Sequence, residues 1–207
     1  TRCPGCIAFE SMNAASKIAS IPALLQITAR DRDDPLLRAR KERFLREAIP
    51  ASLLERLGGT RCDVGDEEAA TSLARLRRSS GKLAVLERLL QRFGKEDHKT
   101  LVFSPYTSTL DIIERFLKPL GFRLFRLDGK VPIKQREQLL QQFRDAEGAP
   151  VFLASTKAGG TGLNLQVASR VVTFDCDWNP STDAQVARSP SSSFSSSSFS
   201  FTHKLLP

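Results

Sequence analysis

Residues 151–165 read VFLASTKAGGTGLNL, a strand-like run followed at once by small residues and three glycines. An apolar stretch without polar alternation suits a strand covered on both faces. The same texture recurs outward from it, in Thr100 to Ser104 (TLVFS), Phe122 to Leu127 and Val171 to Asp175. Helical patterns lie between these runs. Ser108 to Leu117 predicts a helix with Ser108 and Asp111 as a capping box and Pro119 as its stop. Pro132 suits the first position of another, running to about Asp145. Upstream, Lys82 to Phe93 places Leu83, Leu86, Leu90 and Phe93 on one helical face. Strands alternating with helices at this spacing predict an α/β fold with a parallel sheet built from right-handed βαβ units.

The flanks differ in kind. Residues 1–79 read as a helical segment, 80–188 as the α/β domain and 189–207 as a Ser/Phe tail. Ala14 to Thr28 carries Ile18, Ile21, Leu24 and Leu25 at helical spacing despite Pro22. Pro35 to Leu57 mixes charges with Leu36, Leu37, Phe44, Leu45, Leu53 and Leu54, breaks at Pro50 and stops at Gly58 and Gly59. Thr60 to Thr71 is a polar, acidic connector. Ser189 to Ser200 (SPSSSFSSSSFS) has the composition of a disordered tail that builds no core of its own. The start at Thr1 and the abrupt serine run suggest a fragment, or a gene product whose end is misread.

Apolar residues at 41% and charged residues at 26% are ordinary for a soluble domain. A net charge of +8 and a pI near 9.7 fit either a solvated basic surface or a footprint for nucleic acid. Cys3, Cys6, Cys62 and Cys176 make no disulfide framework, so a reducing compartment is expected. Cys3 and Cys6 are half a zinc site without an evident second half, and no metal is expected. His98 and His203 read as solvent-exposed. No run of about 18 apolar residues is available to span a membrane, and no secretory signal is visible.

In a parallel sheet, ligands gather at the carboxyl ends of the strands. Three loops fall there: Ser104 to Thr107, Asp128 to Val131, and Ser155 to Asn164. Glycine-rich backbone can approach phosphate closely, although a tight strand-to-helix connection would use the same residues. Gly160 and Gly162 do not complete a dinucleotide fingerprint. No Gly-Lys pair lies in a Walker A setting, so no unaided site for a triphosphate and Mg2+ is present in the sequence. No nucleophile, base or metal constellation marks the strand ends, which argues against a small-molecule enzyme.

Several segments together resemble the carboxy-terminal lobe of the Swi/Snf family of helicase-like ATPases. They are SSGKLAVLERLL (79–90), KTLVFSPYTSTLDIIE (99–114), RLDGKVPIKQREQLLQQF (126–143), VFLASTKAGGTGLNL (151–165) and RVVTFDCDWNPSTDAQ (170–185). The upstream KIASIPALLQ (17–26) is most similar to the excision-repair, Cockayne-syndrome-B-like branch. The resemblance implies a recA-like second lobe that closes on a first lobe around ATP and Mg2+ while gripping double-stranded DNA, bare or nucleosomal, in a nuclear protein. It places Ser104, Gly129, Lys130, Thr156 and Lys157 near the DNA backbone. Gly160, Gly162, Asn164 and Gln185 would face the nucleotide, and Trp178 would wedge its loop into the lobe.

Arg136 reads as an exposed helix arginine without a site role. The family's final motif continues from its glutamine into two arginines, whereas here Ser189 stands four residues after Gln185 and Arg188 is one place early. No catalytic residue is therefore assigned. The resemblance implies a lobe that needs a missing partner lobe, binds no nucleotide tightly alone and does not hydrolyse ATP. A non-catalytic DNA-binding module or a pseudogene product is the alternative. An RNA-directed relative is disfavoured, because such members usually carry an Arg-Gly-x-Asp loop where GGTGLNL stands.

Overall fold

The computed structural model describes residues 17, 20–25, 34–56, 69–159, 168–175 and 198–200. Two compact units divide the chain, Thr1–Ala84 and Val85–Pro207. In the first, Pro22–Leu25 forms a 3-10 turn, since proline cannot continue an α-helix through that point. The expected helix over 14–28 is thus interrupted where Pro22 stands. Helices α1 (Pro35–Ala48) and α2 (Ala51–Arg56) flank the expected break at Pro50. Helix α3 (Ala69–Ser79) begins inside the expected connector, and α4 (Gly81–Lys95) follows it. Ser80 links these pieces: its hydroxyl donates to the Ser20 carbonyl at 2.9 Å and accepts from the Leu83 amide at 3.3 Å, capping α4.

The second unit holds the sheet. Its elements run β1 (Thr100–Ser104), α5 (Thr107–Leu117), a 3-10 turn (Lys118–Leu120), β2 (Leu124–Leu127), α6 (Ile133–Asp145), β3 (Val151–Ser155), a short α7 (Thr156–Gly159), β4 (Arg170–Thr173) and β5 (Ser198–Ser200). Strand order is β2-β3-β1-β4-β5, and every pairing is parallel. The α/β reading of the sequence therefore holds, and its two central strands have the expected bounds. Every residue of β1 and β3 is buried, the physical reason their sequences show no alternation. Beyond β4, three residues of the Ser/Phe tail pair as the edge strand β5, using backbone bonds rather than an apolar pattern.

One face of the sheet is filled by Leu101, Phe103, Leu127, Phe152 and Ala154 together with Leu140 and Phe143 of α6. Phe143 meets Phe152 edge-on at 5.0 Å between ring centres and Phe125 at 5.6 Å. Such pairs add about 0.5–1.5 kcal/mol beyond the area they bury. Helix α5 packs against β1 and β3 and buries Leu110, Ile113, Phe116 and Leu117. Lys99 ties the end of α6 to the start of β1 by donating to the carbonyls of Phe143 and Arg144.

Several boundaries differ from expectation. Helix α5 starts at Thr107 behind an uncapped Tyr106, so Ser108 and Asp111 form no capping box; Asp111 pairs with Arg126 instead. Pro132 stands just before the helix at its cap, with ψ 144, rather than at the first helical position. Strand β2 begins at Leu124 rather than Phe122, three residues after Gly121 takes a left-handed turn (φ 81). Strand β4 covers Arg170–Thr173, and Phe174 and Asp175 bend away after it. No helix among the described residues is long and apolar enough to cross a membrane.

Candidate functional site

Parallel register brings the strand-end loops together. Ser104 pairs with Ser155 at the last step of the β1–β3 ladder, so the two following loops leave the sheet side by side. β2 ends in register with β3, Leu127 against Ala154, which delivers the Asp128–Val131 loop to the same edge. A cleft of about 490 Å3 opens between them. Pro105, Tyr106, Thr107 and Ser108 line it from the first loop, Gly129 from the second, Ser155 and Ala158 from the third, and Arg136 from α6. Among the described residues, the lining contains an arginine and several hydroxyls but no carboxylate.

Each loop is fixed by side chains beneath it. Ser104 is fully buried; its hydroxyl accepts from the Tyr106 amide at 3.2 Å and donates to Asp175 at 3.3 Å. This bond joins the end of β1 to the bend after β4. Ser155 accepts from the Ala158 amide at 3.3 Å and turns the chain into α7. Asp128 accepts from the Lys130 amide at 2.9 Å, closing the second loop and leaving Gly129 and Lys130 exposed. The hydroxyl of Thr156 is buried with no hydrogen-bond partner among the described residues.

Asp128 is held in turn by Arg126, whose guanidinium reaches three carboxylates: Asp111 at 2.6 Å, Glu114 at 2.7 Å and Asp128 at 2.9 Å. Burial by itself lowers the Arg126 pKa, but its bonds to Glu114, Asp111 and Asp128 raise it well above the usual guanidinium range. Burial likewise pushes the Asp128 carboxyl up. The Lys130 amide and the Arg126 charge together outweigh it and hold Asp128 below the ordinary aspartate range. Asp128 is therefore a fixed anion that shapes its loop, and its charge is already matched by Arg126.

A scan of family models matches residues 81–188, more than half of the chain, to the helicase conserved C-terminal domain. The chain belongs to that family. Its relatives are of the Swi/Snf type. Helicase swr1 of Schizosaccharomyces pombe is 47% identical over 105 residues, 51% of this chain and 8% of that protein. The DNA repair protein rhp54 of the same yeast is 47% identical over 108 residues, 51% of this chain and 13% of the relative. The DNA excision repair protein ERCC-6-like of Mus musculus is 49% identical over 107 residues, 51% of this chain and 9% of its own length. The chain thus spans a small part of each relative. Among solved structures, the C-terminal part of the Fun30 ATPase domain superposes with a TM-score of 0.58 at 28% identity, covering 82% of this chain and 56% of that one.

In this helicase C-terminal domain, the residues assigned to DNA are distributed in depth. Gly129 and Lys130 are exposed at the rim, whereas Ser104 and Thr156 are buried at 0% and 1% exposure, and Lys157 is the second residue of α7. Gly160, Gly162, Asn164 and Gln185, which the resemblance places toward the nucleotide, lie outside the described residues, as do Trp178, Arg188, Cys3, Cys6 and His203. Two sequence readings need correction. Arg136 is half-buried and lines the cleft; it is not a free surface arginine. Helical spacing from Pro132 could have suggested this, because the first turn of α6 starts at the strand ends. His98 is also partly covered, with 27% of its side chain exposed, between Ser169 at 3.0 Å and Arg170 at 2.7 Å. Glu96 at 3.4 Å is a near neighbour in sequence, but Ser169 and Arg170 lie about seventy residues away, beyond the reach of local pattern.

Proposed function

We propose that this domain is the second motor lobe of an ATP-dependent double-stranded DNA translocase acting in chromatin remodelling or DNA repair in the nucleus. Its strand-end cleft would grip the sugar-phosphate backbone. The observation that carries the reading is the convergence of three loops on a cleft with Arg136 inside, the exposed Lys130 next to its lining residue Gly129, and no carboxylate in the lining among the described residues. Exposed amides, hydroxyls and cations contact phosphates without reading sequence, as a translocating motor requires. Ser104 and Asp128 serve by shaping the loops that present these groups.

ATP and Mg2+ enter as cofactors of a two-lobed enzyme, the energy source for movement. In that arrangement Gly160, Gly162, Asn164 and Gln185 would face the nucleotide across from a companion lobe, because the 207 residues contain no Walker A loop. Nucleosomal DNA is a natural form of the duplex partner. The contact is tested by hydrogen–deuterium exchange on the intact chain with and without a short DNA duplex. Protection at residues 105–108 and 129–131 is expected. Protection confined to the basic helix α1 would refute the placement.

A further inference from the structure

The amino ends of the strands carry a second charged cluster, away from the cleft. His98 stands just before β1, and Arg170 opens β4 in register with Thr100 of β1. Arg170 Nη2 lies 2.7 Å from His98 Nε2, and Ser169 Oγ lies 3.0 Å from His98 Nδ1. A guanidinium has donors and no acceptor, so Nε2 must be the bare nitrogen that accepts from Arg170. Nδ1 then carries the proton and donates to Ser169, and the ring is neutral. Glu96 Oε2 lies 3.4 Å from the same Nε2 and 3.7 Å from Arg170 Nη2. That carboxylate offers a neutral ring nothing, because neither atom of the pair holds a proton. Among the described residues, the charged groups that face the ring are Glu96, Arg170 and, through Glu96, Arg92 of α4 at 3.2 Å. The Arg92 bond keeps the Glu96 carboxyl below the ordinary glutamate range, so Glu96 stays anionic where a histidine titrates.

We propose that His98 is a proton-operated latch between the turn after α4 and the start of β4. Neutral, it accepts from Arg170 and joins the two segments. When a proton from water settles on Nε2, that nitrogen becomes a donor. The N–H···N bond from Arg170 breaks, and an N–H···O bond to Glu96 forms in its place. Two cations do not share a contact of 2.7 Å, so the guanidinium turns off the ring. The start of β4 is then held by the backbone bonds from Ser169 and Arg170 to the Lys99 carbonyl. Histidine is the side chain whose ordinary pKa puts such a change between about pH 5 and pH 8. The latch lies at the opposite ends of the strands from the cleft and does not depend on the DNA-gripping reading.

The test is proton–nitrogen correlation NMR on the full 207-residue chain, labelled with nitrogen-15 and titrated between about pH 5 and pH 8. The chain has two histidines, and His203→Gln assigns the signals of His98. At the alkaline end the His98 ring should show a protonated Nδ1 and a bare Nε2. As pH falls, Nε2 should gain its proton, and the backbone amides of Ser169 and Arg170 should shift with the same midpoint. Glu96→Gln removes the carboxylate that receives the charged ring, so the midpoint should move to lower pH. Arg170→Met removes the opposing cation, so it should move to higher pH. A ring that titrates without exchanging partners would show neither displacement. A neutral ring protonated at Nε2, amides of Ser169 and Arg170 that stay still, or either folded variant with an unchanged midpoint would overturn the latch. Far-UV circular dichroism monitors folding. If Arg170→Met does not fold, the wild-type tautomer and the Glu96→Gln midpoint decide.

Discussion

Arg126 illustrates how much of this lobe's order depends on one side chain. It reaches two carboxylates of α5 and one at the head of the glycine loop, so it joins helix, strand and candidate site. Removing one member of such a partly buried network leaves the others unpaired and mutually repulsive. Arg126→Met should therefore cost about 2–3 kcal/mol in urea denaturation, less than a fully buried pair because water reaches part of the cluster. Asp128 gives a matching pH effect. Its folded-state pKa lies below the unfolded value of about 3.9, so its contribution is present above that pH and is lost as pH falls through the folded value. Asp128→Asn should melt lower than wild type at neutral pH, and the gap should close in acid. Melting curves across that range check it. None of these roles was legible locally: RLDGK names the residues, but Arg126 meets partners 12 and 15 positions upstream. Spacing along the chain does not reveal that meeting.

At the scale of elements, legibility followed burial. β1 and β3 are covered on both faces, and their continuous apolar runs gave their limits correctly. β2 is only partly buried and enters from a left-handed glycine, so its apolar pattern extended two residues too far. The end of α4 was hidden for another reason. The Asp97 amide bonds to the Gly94 carbonyl at 3.2 Å and the His98 amide to the Phe93 carbonyl at 2.9 Å, a Schellman turn with aspartate in the left-handed position (φ 55). Glycine there would announce the stop; aspartate conceals it. Asp97→Gly should stabilise the lobe by about 0.5 kcal/mol, read as a raised denaturation midpoint. Phe143 makes the opposite point, since it is packed on two aromatic rings and under Lys99. Phe143→Ala should cost about 3–5 kcal/mol in the same experiment.

At the scale of the molecule, the family was legible because short motifs stand at the ends of consecutive strands, where sequence order and sheet order together dictate proximity. The cleft itself was legible as three loops. Its cation was not, because Arg136 belongs to the following helix and resembles any solvated arginine until the first turn is folded back. A charge of +8 fits a polyanion partner but does not say where the partner sits. A partner at the strand ends should make the affinity of the intact chain for duplex DNA fall as salt is raised. Measurable binding is expected that weakens by about tenfold or more between about 50 and 200 mM salt, as counter-ions displaced from a few phosphates return. Much weaker binding is expected when Lys130→Glu reverses the exposed charge beside the cleft. A folded chain that does not bind duplex DNA at low salt, or binds it equally with Lys130→Glu, would rule out DNA gripping at the strand ends.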